Sequence, residues 1–162
     1  AIAWLLKHHP ELTDAQISDL GTDINSLTQA QIGDLTTSQL RSLSGAQLNA
    51  LDDAKLQDVD ITLLQNSQVA AVTVTKLSDA QVGDLTASQL RSLSNAQLGA
   101  LSDSQLASIT AGNIGQLTLT QTASLTFAKL SEMDDVKTNM TADQKDVLKG
   151  TLSAGDWDTL FA

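Results

Sequence analysis

An eight-residue motif recurs through most of this chain and constrains its fold more than any other feature. The stretch LTTSQLRSLSGAQLNAL at residues 35–51 returns almost unchanged as LTASQLRSLSNAQLGAL at residues 85–101. Other copies, some of them looser, begin at Leu12, Leu27, Leu43, Leu77, Leu93, Leu101, Ile109, Leu117 and Leu125. A fold for this chain must therefore place a leucine, a hydroxyl residue and a glutamine in equivalent environments in each octad.

The spacing of apolar residues in the octad fits neither a continuous helix nor a plain strand. In an uninterrupted α-helix the leucines of successive octads drift by about 80° per repeat, so no stable apolar stripe forms. In a strand, Leu35 and Leu40 are an odd number of residues apart and point to opposite faces. The serine and glutamine between them are also poor strand residues.

The octad instead matches the start of a helix. Thr36 suits an N-cap, Gln39 completes a capping box three residues later, and Leu35 packs on Leu40 as a hydrophobic staple. After Leu40 the chain must leave the helix so that Leu43 can begin the next unit. Each octad thus predicts one short helix followed by a corner. A low-complexity linker is the alternative, but it would not keep aliphatic residues at two fixed positions.

One octad cannot fold by itself. Burying two aliphatic side chains contributes about 4 to 6 kcal/mol, whereas ordering eight residues costs about 12 kcal/mol. Contacts with neighbouring units must supply the difference. The sequence therefore predicts an all-α solenoid, a superhelix of very short helices with one helix per octad and a continuous leucine core.

A longer repeat and two insertions are superimposed on the octads. Residues 27–76 resemble residues 77–126, which indicates duplication of a block of fifty residues. Two five-residue insertions, VDITL at 59–63 and VTVTK at 72–76, interrupt the first block and are rich in β-branched residues. We interpret them as bends or short extended segments, with tolerated loops as the alternative. LGTDINS at 20–26 is a seven-residue variant.

The expected organisation has three parts: an N-terminal cap helix at 1–11, the octapeptide solenoid at 12–132, and a C-terminal cap at 133–162. Terminal coils need modification because they would expose the core. Aromatic residues near both ends suit this role. A sharper hypothesis is heterologous, head-to-tail self-association, in which the N-terminal apolar residues of one molecule dock on the C-terminal ones of the next. The residues concerned are Trp4, Leu5, Leu6, Trp157, Leu160 and Phe161.

Composition excludes several partners. The net charge is −10 and only nine residues are Lys or Arg, which opposes binding to a phosphate backbone, so we expect no nucleic acid. No apolar run is long enough to span a membrane. The chain has no Cys, which rules out disulfides and thiolate metal sites. It begins at Ala1 without Met, in agreement with a processed export product, a trimmed chain or an excerpt.

The sequence offers no metal site with a full ligand set. His8 and His9 are adjacent and lack a third and fourth ligand at helical spacing, so zinc is not expected. Acidic pairs such as Asp134 and Asp135 lack the ligand series of a calcium loop. We interpret these pairs as solvated corners, with Ca²⁺ the one cofactor that the sequence leaves open.

No catalytic constellation is present either. The recurrent serines and threonines are already needed as helix caps, and neither a GxSxG elbow nor a Gly-rich phosphate loop accompanies them. We therefore expect no catalytic, cofactor-binding or metal-binding residues and no enzymatic activity.

Arg41 and Arg91 occupy equivalent positions in the duplicated block. They are expected either to pair with Asp34 and Asp84 of the adjacent coil, as weak surface bridges, or to mark a repeated contact surface.

The LTxxQLxxL pattern over residues 12–132 resembles octapeptide arrays in large secreted or surface-attached bacterial repeat proteins, some of them adhesin-like. This resemblance implies an extracellular or cell-surface location. Each octad also looks like the LTxxQV start of DNA-reading effector repeats, but those repeats are longer and basic, and the shared helix-cap rule explains the likeness.

The expected function is that of a structural repeat segment: a spacer, stalk or filament-forming subunit of an exported bacterial protein. The recurrent residues are explained by folding, and none is left for chemistry. The alternative is a protein- or peptide-binding solenoid whose groove is lined by the variable octad positions.

Overall fold

The computed structural model describes residues 12–162, which fold into short helices with no strand among them. The chain divides into two compact units, Ala1–Leu77 and Ser78–Ala162. The described part of each unit is all-α, which confirms the predicted fold class. The N-terminal cap helix predicted at 1–11 lies outside the described residues.

The described part of the first unit contains six α-helices and three 3₁₀ helices. Its elements are α1 (Asp14–Asp19), η1 (Gly21–Ser26), α2 (Gln29–Gly33), α3 (Thr37–Ser42), α4 (Gly45–Ala50), α5 (Asp53–Gln57), η2 (Ile61–Leu63), α6 (Asn66–Val69) and η3 (Val74–Lys76).

The second unit contains α-helices throughout. They are α7 (Asp79–Asp84), α8 (Ala87–Ser92), α9 (Asn95–Ala100), α10 (Asp103–Ala107), α11 (Ala111–Ile114), α12 (Leu119–Ala123), α13 (Phe127–Glu132), α14 (Val136–Asn139), α15 (Ala142–Thr151) and α16 (Ala154–Phe161).

Capping boxes start most of these helices, as the octad predicts. At α3, the Gln39 N–H donates to Thr36 Oγ1 over 3.2 Å, and the Thr36 N–H donates to Gln39 Oε1 over 2.8 Å. Ten boxes of this kind have a hydroxyl N-cap within the described residues. Their N-caps are Thr13, Thr28, Thr36, Ser44, Ser78, Thr86, Ser94, Ser102, Thr118 and Thr141. In the looser copies, Thr110 makes no side-chain cap bond and Thr126 only accepts from the Lys129 N–H.

The leucine after each helix forms the corner. Leu43 ends α3 in an extended conformation (φ −68°, ψ 133°), and its N–H donates to Leu40 O over 3.2 Å. The same residue immediately precedes Ser44, the N-cap of α4. Because Leu40 and Leu43 are each only 3% exposed, both the helix and the corner contribute a side chain to the core.

Three elements make one turn of each solenoid unit. In the first unit, α1 packs on α3, η1 on α4, α2 on α5, α3 on η2 and α5 on η3. In the second, α7 packs on α10, α9 on α12, α10 on α13, α11 on α14, α12 on α15 and α13 on α16. Two elements lie between the partners in every pair. Three octads, or 24 residues, therefore complete a regular coil.

The five-residue insertions are bends, and each one contains a short 3₁₀ helix. VDITL contains η2 and VTVTK contains η3, so each insertion is one 3₁₀ turn and replaces one side of a coil. Each buries two β-branched residues that are 3% exposed or less, Val59 and Ile61 in one and Val72 and Val74 in the other. This equals the number of aliphatic side chains that an octad buries, which explains why a shorter segment can substitute for one.

The last helix is packed differently from the others. Besides α13, the partner three elements before it, α16 contacts α14 and α15. It therefore lies across the end of the second unit. Beneath it the core is closed, with Leu148 fully buried and Val136 and Met140 each 4% exposed.

Candidate functional site

The N3 glutamine of the octad, which is the third residue of its helix, makes hydrogen bonds both to its own N-cap and to the preceding coil. In α12, Gln121 is 3% exposed, and its Oε1 accepts from the Thr118 N–H over 3.0 Å. Its Nε2 donates to two carbonyl oxygens of the preceding coil, Leu90 O and Leu93 O, each at 2.9 Å. The same amide therefore closes the capping box and joins two coils.

The arrangement recurs at other N3 positions. Gln68 Nε2 donates to Leu40 O and Leu43 O, both at 2.8 Å. Further donors of this kind are Gln39 to Leu12 O, Gln47 to Ile17 O and Ser18 O, and Gln144 to Ile114 O and Leu117 O. Each of these acceptors lies at the corner that precedes the helix three elements earlier.

Lysine and asparagine replace glutamine at some N3 positions and keep the bridge. Lys129 Nζ donates to Leu101 O at 2.6 Å, and Asn113 Nδ2 donates to Leu85 O at 2.7 Å. Lys55 Nζ donates to Asn25 O near the end of η1, and Lys76 Nζ donates to Asn49 O and Leu51 O at the end of α4. All of these residues carry a side-chain N–H. Among the helices of residues 12–162 no glutamate occupies N3, although a capping box alone would accept one.

Sequence reasoning missed this second role of N3. The signal that could have revealed it is the prevalence of glutamine, lysine and asparagine at N3, whose side chains all carry N–H donors. Thr138 in α14 and Asp156 in α16 are exceptions. The bridge satisfies carbonyl groups that the end of a helix leaves without an intrahelical partner. Among residues 12–162, no buried side-chain nitrogen or oxygen lacks a hydrogen-bond partner.

A small open cavity lies near the beginning of the described chain. Its volume is about 180 Å³. It is lined by Leu12, Ile17, Leu27, Gln31, Asp34, Leu35 and Gln39. Asp34 is the single ionisable side chain in this lining, so the cavity offers no acid–base pair.

Neither predicted arginine forms the expected ion pair. Arg41 Nε donates to Leu63 O over 2.8 Å. In the described part of the chain the ion pairs are Lys55 with Asp52 at 3.6 Å and Lys76 with Asp53 at 3.8 Å. The predicted pairing with Asp34 was thus wrong for Arg41, because a backbone carbonyl of the neighbouring coil is its partner.

Arg91 belongs to the second unit and is exposed on α8. It likewise makes no ion pair with Asp84 in the structure. Its role as part of a contact surface stays a prediction.

The C-terminal residues singled out for self-association lie together on α16. Trp157 and Phe161 have ring centroids 4.3 Å apart at 35°, and Lys145 Nζ lies 6.0 Å from the Phe161 centroid. Trp157, Leu160 and Phe161 are all half-buried. Their proposed partners, Trp4, Leu5 and Leu6, lie outside the described residues.

In the acidic pair at 134–135, Asp135 is the N-cap of α14. Asp135 adopts a left-handed conformation (φ 37°), and its Oδ1 accepts from the Thr138 N–H over 3.1 Å. Hydrogen bonding by Thr138 lowers the pKa of this carboxyl group. Residues 12–162 contain no group of three or more His, Cys, Asp or Glu side chains that could hold a metal ion. His8 and His9 lie outside this range.

Over the same range, every helix is too short or too polar to cross a bilayer.

Comparison of the chain with protein-family models, curated proteins and solved structures gave no significant match.

Proposed function

We propose that this chain is a structural spacer or stalk segment whose length depends on the number of its coils. The N3 bridge is the observation that carries this proposal. It occurs in both units, through Gln47 and Gln68 in the first and Gln121 and Gln144 in the second. Each coil donates hydrogen bonds to the previous one through the same groups. A further coil can therefore be added with the same contacts.

The use of the recurrent residues supports the same proposal. The octad leucines fill the core, the hydroxyl residues cap helices, and the N3 side chains join coils. Most of the remaining octad positions are small or polar and exposed, such as Asn95, Ala96 and Gly99. This division of roles suits a scaffold. An extracellular or cell-surface location in a bacterial protein follows from the resemblance to secreted repeat arrays and is part of the proposal.

A length experiment tests the spacer function. A second copy of residues 101–124 is inserted after residue 124, and dyes are attached in each protein at Ser78 and Ala162, the two ends of the second unit. One added coil should lengthen the second unit by about 10 Å, the separation of packed helices, and should lower the energy transfer between the dyes. A folded protein with unchanged energy transfer, or a loss of helical circular dichroism, would contradict the proposal.

Head-to-tail association would make the same structural segment a filament-forming subunit. The half-buried Trp157, Leu160 and Phe161 on α16 favour it, since they leave apolar surface at the end of the second unit. Electron micrographs should then show fibres at high protein concentration and none for Trp157→Ala. Sedimentation as a monomer at millimolar concentration would exclude this form and leave the spacer function untouched.

The alternative function, a protein- or peptide-binding scaffold, has less support. The large hydrophobic residue most exposed in the described chain is Leu119, at 47%. Single exposed apolar residues are ordinary on protein surfaces and do not indicate an interface. A binding function would require a partner whose affinity falls when the exposed residues of one face, including Leu119, are replaced.

A further inference from the structure

Successive coils are joined by side chains. Within each unit, the backbone–backbone hydrogen bonds at the turns and caps connect residues three or four apart. Bonds that span a coil involve at least one side chain, such as that of Gln121, which donates to residues 28 and 31 positions earlier. A short helix is therefore held internally by its backbone, whereas neighbouring coils are held by aliphatic contacts and a few side-chain bonds.

The bridge is missing at the last helix. The N3 residue of α16 is Asp156, a carboxylate with no N–H to donate to the coil below. Its Oδ2 accepts from Ser153 Oγ over 2.8 Å instead. In addition, α16 contains no buried residue.

The helix before it is held much more firmly. In α15, Leu148 is fully buried and Gln144 is 1% exposed. Gln144 Nε2 donates to Ile114 O over 3.1 Å and to Leu117 O over 3.0 Å. The side-chain bond that reaches α16 from an earlier element is exposed and runs from Lys137 Nζ to Ala162 O. Attachment therefore increases from α16 to α15.

We propose that tension applied between the chain ends unwinds the second unit stepwise from its C-terminal end, with α16 leaving first. The elements of this unit pack mainly on those three positions away, so removing the last element leaves the contacts among the earlier ones intact. Solenoids whose contacts are confined to neighbouring coils open in parts for this reason. The inference rests on the proposed spacer function only in that a spacer bears load.

Step lengths follow from the coil. A regular coil of three octads contains 24 residues and extends to roughly 80 Å when pulled straight. Release of residues 153–162 alone gives roughly 35 Å by the same conversion. Optical tweezers with handles at both ends of the full chain should show a short first extension followed by coil-sized or smaller steps.

Asp156→Gln is the decisive variant because it should strengthen the contact. Restoring a donor at N3 of α16 should raise the force of the first extension and leave the later steps unchanged. Gln144→Glu should lower the force at which α15 opens. The matched control is Gln116→Glu, the same chemical change at an exposed position, which should leave every force unchanged.

Hydrogen exchange gives a readout without load: amides of α16 should exchange before those of α15. A single extension that releases the whole second unit at once would overturn the proposal, as would equal exchange rates in α15 and α16. If Gln144→Glu fails to fold, Asp156→Gln still decides the order of opening. Failure of stepwise opening leaves the dye-distance result, and with it the spacer function, unaffected.

Discussion

At the scale of single residues, the N3 glutamine uses both the oxygen and the nitrogen of its side-chain amide. Gln121 accepts the capping bond through Oε1 and donates to two corner carbonyls through Nε2. A glutamate could make the first bond but would place a carboxylate oxygen against carbonyl oxygens. Burying a charge without a compensating donor is strongly unfavourable.

Gln121→Glu should therefore destabilise the protein by about 2 to 4 kcal/mol at neutral pH. Burial beside carbonyl oxygens should raise the pKa of the new carboxyl in the folded state above its unfolded value of about 4.3. The destabilisation is then absent below the unfolded pKa and develops as pH rises towards and through the folded pKa. Urea unfolding at several pH values measures it.

The control for this prediction is Gln116→Glu, in the same unit, because Gln116 is exposed. Its stability should match the native protein across the pH range. Equal losses in the two variants would mean that added negative charge, rather than the lost donor, is responsible.

Asp135 provides a second residue-scale prediction. Hydrogen bonding by Thr138 lowers the pKa of its carboxyl group in the folded protein. Its contribution to stability is therefore present above the unfolded pKa of about 3.9 and is lost as pH falls through the lower folded value. Asp135→Asn keeps an acceptor and tolerates the left-handed conformation. The native protein should lose this stability as pH falls below about 5, roughly one unit above the unfolded pKa. The variant should lack this part of the loss, which urea midpoints measured over the same pH range would show.

At the scale of helices, small residues set how closely neighbouring elements approach. A Cβ atom on Gly45, the first residue of α4, would lie 2.5 Å from the Cβ of Ala71. At Gly99, in α9, an added Cβ would meet no atom within 4 Å. The two glycines both lie in helices, so the difference between them comes from packing.

Gly45→Ala should destabilise the protein by about 1 to 3 kcal/mol, because the two elements must move apart. Gly99→Ala should stabilise it by about 0.5 to 1 kcal/mol, because alanine is the better helix residue. Chemical denaturation of both variants checks the prediction. A loss of stability at Gly99 would show that the packing around α9 is tighter than the structure indicates.

At the scale of the whole molecule, the effect of a deletion depends on whether it removes a whole number of three-element turns. Removing residues 101–124 takes out α10, α11 and α12, one complete turn, and every later helix keeps its face. Removing residues 101–108 takes out α10 alone and moves every later helix to the next face. Bonds between helices on either side of the deletion then lose their partners, such as those of Gln121 Nε2 with Leu90 O and Leu93 O.

The shorter deletion should therefore lower the melting temperature more than the longer one. This outcome is opposite to the order expected from the number of residues removed. Thermal unfolding followed by circular dichroism measures both variants. A melting temperature that falls in proportion to the length removed would contradict the three-element turn.

The sequence alone determined where helices start, where corners lie and which aliphatic residues are buried. Thr36, Gln39 and Leu40 act over three or four residues, so one octad contains all the information that a helix start requires. The same local rules predicted capping at Thr28 and Ser102, in different units.

Only the tertiary structure decided the number of elements per turn, the 3₁₀ form of residues 61–63 and 74–76, and the second bond of each N3 side chain. The partners of Gln121 are 28 and 31 residues away. Which carbonyls it meets depends on the angles of all the corners between them, and a single octad does not specify those angles.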